Sequence, residues 1–232
     1  NNGTTNSSEL ILASGKNITS TITTADNGKG ILTLFGGTQT VTGQVGTGGV
    51  GGLSLAEVNA GANGATSTFT NDVFATNLDV EGTGTVNLGG DFTGTALRYN
   101  DNGIVNLADG KNINSSITSD APNQGTLNLV GTSTVTGQVG DATNNLKEIN
   151  ANGIAGKTVT FANDVYATNI ENTGTGATTF QANVVATNVN VNAGTSTFQD
   201  NLTAATTTIS TGTGNFNTVS GATTSDLRFT DN

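Results

Sequence analysis

The chain has 232 residues, a formal net charge of −10, and 33 glycines against a single proline, Pro122. It contains no Cys, Met, Trp or His. These absences exclude disulfides, thiol catalysis, zinc–thiolate sites and any His-based triad or general base, so no cofactor and no metal is expected. The acids are dispersed singly, which disfavours nucleic acid and anionic membrane as partners.

Taken in order, the chain offers short apolar runs between Gly/Asn clusters. Gly15-Lys16-Asn17-Ile18 opens the first recognisable motif, and Ile31-Leu32-Thr33-Leu34 reads as a short alternating strand. Thr40-Val41-Thr42-Gly43-Gln44-Val45-Gly46 follows. The Gly-rich stretch to Gly52 reads as a loop leaving the body; no Lys-Ser/Thr follows it, so it is not a phosphate loop. Phe69-Thr70-Asn71-Asp72-Val73-Phe74-Ala75-Thr76-Asn77-Leu78 is the third motif and Leu97-Arg98-Tyr99-Asn100-Asp101-Asn102 the fourth.

Each motif then returns: at Gly110–Ile113, an offset of 95; at Thr134–Gly140, an offset of 94; at Phe161–Ile170, an offset of 92; and at Leu227–Asn232, an offset of 130. A repeat of this size fits one immunoglobulin-like sandwich or several smaller coils. Phe161, Phe180, Phe198 and Phe216 follow one another at spacings of 19, 18 and 18, and Ala167-Thr168-Asn169 recurs as Ala186-Thr187-Asn188. The repeating unit therefore spans 18 or 19 positions. The last offset exceeds the one before it by 38, two units of 19, which a solenoid absorbs as two more coils.

The expected fold is all-β: a parallel β-helix of about 12 coils, each with two or three short strands. The handedness rule for parallel crossovers points to a right-handed turn. Residues 1–232 are expected to be one β-helical segment of a longer array, with copies at about 9–103 and 104–232. Phe69, Phe161, Phe180, Phe198 and Phe216 are expected in one inward column, and Leu78, Ile170 and Val189 in another. Asn77, Asn169 and Asn188 are the candidates for an amide ladder.

Chemistry is sparse. Asp79 and Glu81 could share a strand face as a carboxylate pair, with Glu171 alone as their counterpart, but solvated surface acids are the plainer reading. Asp72 and Asp164 read as turn caps. A calcium-binding Gly-Gly-x-Gly-x-Asp repeat is absent, and Gly89-Gly90-Asp91 is only a lone fragment of that pattern. Asn17-Ile18-Thr19 and Asn201-Leu202-Thr203 match glycosylation acceptors that arise readily in so Asn/Thr-rich a chain.

The Val-Thr-Gly-Gln-Val-Gly, Phe-x-Asn-Asp-Val-(Phe/Tyr)-Ala-Thr-Asn and Leu-Arg-(Tyr/Phe)-x-Asp-Asn segments resemble the passenger region of rickettsial surface cell antigens, autotransporters of the outer membrane protein A and B type. The resemblance covers essentially the whole chain. It implies a non-enzymatic, extracellular rod displayed at the cell surface by a separate outer-membrane barrel and contributing to virulence through adhesion to a host-cell surface protein. The segment itself is expected to be monomeric. A β-helical carbohydrate-active enzyme and a self-associating surface protein are the alternatives.

Overall fold

The alternation Thr-Ser-Thr-Phe at 66–69, with Asn-Asp after it, puts Ser67 and Phe69 on one side of a strand and Thr66 and Thr68 on the other. Repeated at a fixed spacing, such a strand buries its apolar side only by stacking on its own next copy. The computed structural model of the chain, which describes residues 8–48, 51–217 and 224–230, is built in this way. It is an all-β parallel solenoid of two ladders with eleven strands each, one taking the odd and one the even strands in chain order. At ~4.8 Å per rung this makes a rod of roughly 50 Å.

The ladders turn corners. Strand Val73–Val80 pairs Val73 and Phe74 with Phe92 and Thr93, then resumes at Asn77 with Ala96. Val165–Asn172 breaks in the same way between Ala167 and Asn169. Each such strand lays its two halves on two faces, so a turn of the solenoid has three. The first face carries the inward column Val41, Phe69, Leu88, Leu107, Leu129 and Ala151. The second carries Val45, Val73, Phe92, Ile113, Val135, Phe161, Phe180, Phe198 and Phe216. The third runs from Leu10 through Leu32, Val58, Leu78, Leu97, Ile117, Val139, Val165 and Val184 to Leu202. All but the outermost members are buried.

Among the described residues each ladder has eleven rungs, close to the expected count of about twelve, and the turns are not uniform. Ala177 sits on Thr195, whereas Thr38 sits on Thr66, a step longer by more than half. The step from Ser133 to Val159 is long as well. The two long turns are equivalent in the two copies, and each carries its extra residues after the Val-Thr-Gly-Gln-Val-Gly segment.

The expected columns need correcting, all in one way. Phe161, Phe180, Phe198 and Phe216 do stack, with ring centroids 5.0, 5.0 and 5.5 Å apart. Phe69 is buried but stands on the first face, between Val41 and Leu88. Leu78 is on the third face, while Ile170 and Val189 pair on the first. Asn77 pairs with Glu57 and Ala96 on the third face, away from Asn169 and Asn188 on the first. In each set the first-copy member lies one face behind its counterparts. Phe69 climbs four rungs to Ala151 before the chain turns onto the next face and reaches Phe161. The sequence repeat is thus four turns and one face, not a whole number of turns.

Candidate functional surface

The repeated motifs hold rungs together. Gly43 and Gly137 pass so close to the rung below that a Cβ would meet the backbone oxygens of Ser20 and Ser115 at 2.0 and 2.3 Å. Gln44 and Gln138 donate Nε2–H to the carbonyls of Gly46 and Gly140 at 3.0 and 2.8 Å, closing the corner. Asn71 and Asn163 donate Nδ2–H to the carbonyls of Thr42 and Thr136, both at 2.6 Å. Asp72 and Asp164 look the other way: their Oδ1 atoms accept the backbone N–H of Asp91 and Asn183, at 2.9 and 3.0 Å. The Asn-Asp pair therefore joins the turn before to the turn after. Spacing alone identified these acids as turn caps; it could not show that the cap spans two turns.

The carboxylates singled out for chemistry are engaged. Asp79 is buried and accepts Nε–H of Arg98 at 2.6 Å, with Glu57 at 3.9 Å from the same guanidinium. The hydrogen bond to Asp79 outweighs partial burial and raises the Arg98 pKa. Beside it, Tyr99 is wholly buried with its hydroxyl donating to the Thr126 carbonyl at 2.8 Å; burial pushes its pKa up. Glu81 accepts Nδ2–H of Asn100 at 2.7 Å. Glu171 accepts Asn190 and Asn192 at 2.5 and 3.0 Å. Asp91 caps the Asn112 N–H at 2.8 Å. Of the glycosylation-like sites, Asn17 accepts the Thr40 N–H at 2.9 Å and Asn201 donates to Asn183 at 3.0 Å. Thr47 and Leu53 close the base of the Gly-rich loop at 2.8 Å; Gly49 and Val50 lie outside the described residues. Among the described residues no three potential metal-ligating acids come together.

What remains for an external partner is the outward side of the faces, and they differ. On the first face an amide ladder links rung to rung: Asn106 donates to Asn87, Asn128 to Asn106 and Asn150 to Asn128, at 2.8, 2.7 and 2.8 Å. Farther along, Asn188 donates to Asn169 at 2.9 Å. The longer part was missed in the sequence, yet its signal is there: Val86-Asn87-Leu88, Val105-Asn106-Leu107 and Leu127-Asn128-Leu129 recur at coil spacing. On the second face, strands Thr158–Phe161, Ala177–Phe180, Thr195–Phe198 and Thr213–Phe216 turn two columns outward. They are Thr160-Thr179-Thr197-Asn215 and Thr158-Ala177-Thr195-Thr213. This strip carries no charge. No family model, no curated protein and no solved structure matches the chain.

Proposed function

We propose that the chain is a non-enzymatic rod of a bacterial cell surface, an autotransporter passenger segment that contributes to adhesion to host cells. The observation that carries this reading is that the repeated residues are engaged in holding turns together. A chain that repeats its scaffold chemistry and no reactive constellation extends reach and presents surface. The motif resemblance supplies the setting: display on a separate barrel, with a host surface protein as receptor.

The test is binding of beads coated with the chain to cultured host cells. Saturable attachment, lost when the host surface is trimmed with protease, is the expected result. Attachment no greater than that of albumin-coated beads would sink the adhesive reading.

A further inference from the structure

The outward strip on the second face is flat, uncharged and hydrogen-bond-hungry. Flatness follows from the rings beneath it: interplanar angles along Phe161, Phe180, Phe198 and Phe216 are 5°, 4° and 7°. The stacked rings stay parallel from rung to rung, whereas neighbouring strands in a sheet ordinarily rotate by roughly 20–25°. The turns under the strip are all short and of nearly equal length, so no insertion interrupts it. The hydroxyls of Thr158, Thr160, Thr179, Thr195 and Thr213 have no hydrogen-bond partner among the described residues, and Thr197 has only the amide of Asn215 at 3.4 Å. The first face differs, since its amides bond to one another.

We propose that this strip binds the same strip on a second copy of the chain, face to face. Three observations select that occupant. A hydroxyl is both donor and acceptor, so a row of them complements itself. The partner must present polar groups at the pitch of a β-rung, ~4.8 Å, over several rungs without twist; a second copy does so by construction. The chain carries −10 net charge, so two copies repel each other over most of their surfaces and approach most easily where charge is absent. The strip spans four rungs, about 15 Å of rod, too short a patch to bury the ~1,000 Å² that a stable interface needs. A single pair therefore stays apart in solution, and contact appears when many chains on one surface meet many on another. This proposal goes beyond adhesion to host cells and uses no residue of that reading's test.

The experiment uses beads densely coated with the chain and counts clusters. Wild-type beads are expected to cluster, and more so as salt screens the net repulsion. Thr160→Lys/Thr179→Lys/Thr197→Lys beads, and beads carrying Glu at the same three positions, should each cluster about tenfold less. Mixed together, the Lys and Glu beads should cluster again, because opposite charges now face across the contact. A first-face control, Thr66→Lys/Thr85→Lys, should cluster like wild type. Each variant is first checked for an unchanged thermal unfolding midpoint; Thr179→Lys and Thr179→Glu alone replace any triple variant that unfolds early. Unclustered wild-type beads, unimpaired Lys beads, or no rescue on mixing would each overturn the proposal. Host-cell attachment of the same beads is read separately, so either reading can fail without the other.

Discussion

The two sequence copies are close in local structure and different in orientation. Phe69 and Phe161 begin the same motif, with the same Asn–Asp bonds after it, but one is on the first face and the other on the second. Leu97 lies on the third face and its counterpart Leu227 on the first. That shift is again one face, although two further turns have been inserted between the motifs. Whole turns can thus be added without altering orientation, while copying the repeat rotates it. Local hydrogen bonding fixes the motif and leaves its bearing around the rod free. A third copy of the same length would move on by another face, so equivalent surfaces spiral around the rod.

The sharpest way to break this comparison is to change the length of chain between faces. Removing positions 162–198 takes out two whole turns and joins Phe161 to Gln199. The spacing from Phe to the next third-face residue is four either way, Phe161 to Val165 or Phe198 to Leu202. Each turn contacts only its neighbours, so the ladders reclose. Removing only positions 162–189 takes out one turn and a half, joins Phe161 to Asn190 and sends inward residues outward. The two-turn deletion should unfold cooperatively near the wild-type midpoint, and the shorter deletion should lose cooperative unfolding C-terminal to the junction. Equal melting curves from circular dichroism would mean that the turn is not the unit of folding.

A smaller effect tests whether the copies are built alike despite their different bearings. Gly43→Ala and Gly137→Ala each drive a methyl into a backbone carbonyl of the rung below, at Ser20 and Ser115. Backbone has little room to yield, so each should cost about 2–3 kcal/mol. Matching losses in urea unfolding are expected. A loss at one position only would show that the shared motif packs differently in the two copies.

The fold was legible because its signal is local: aromatic residues recur at the spacing of one coil, and Thr, Asn and Gly mark strands and turns. The columns were legible within a copy, as Phe161 to Phe216 show, and illegible between copies. Aligning Phe69 with Phe161 assumes that a sequence repeat is a whole number of turns, and only the strand register reveals the extra face. The two long turns, Thr38 to Thr66 and Ser133 to Val159, were illegible for a similar reason, since a loop lengthens the chain without lengthening the rod. For the surface, Thr-x-Thr before each Phe was visible in the sequence. What could not be read there is that Asn side chains satisfy each other on one face while Thr side chains on another do not.

The smallest expected effect comes from a position where the copies differ in chemistry. Ser14-Gly15-Lys16 in the first copy becomes Asp109-Gly110-Lys111 in the second. Asp109 accepts the Thr132 N–H of the next rung at 2.8 Å and meets Lys157 at 3.3 Å. The backbone bond first, and the lysine after it, hold its pKa below the ordinary carboxylate value. A carboxyl with a depressed folded-state pKa stabilises when ionised, so its contribution is full above the unfolded value of about 4 and is lost as pH falls through the lower folded one. Asp109→Ser, which restores the first-copy residue, should therefore lower the melting midpoint at pH 7 by no more than about two degrees, since an exposed pair contributes little. The difference between variant and wild type should shrink as pH falls below 4. Added salt should remove only the Lys157 part, because the Thr132 hydrogen bond does not depend on screening. A gap that stays constant from pH 7 to pH 2 would assign the effect to packing, and the two copies would then differ at this corner in shape and not in charge.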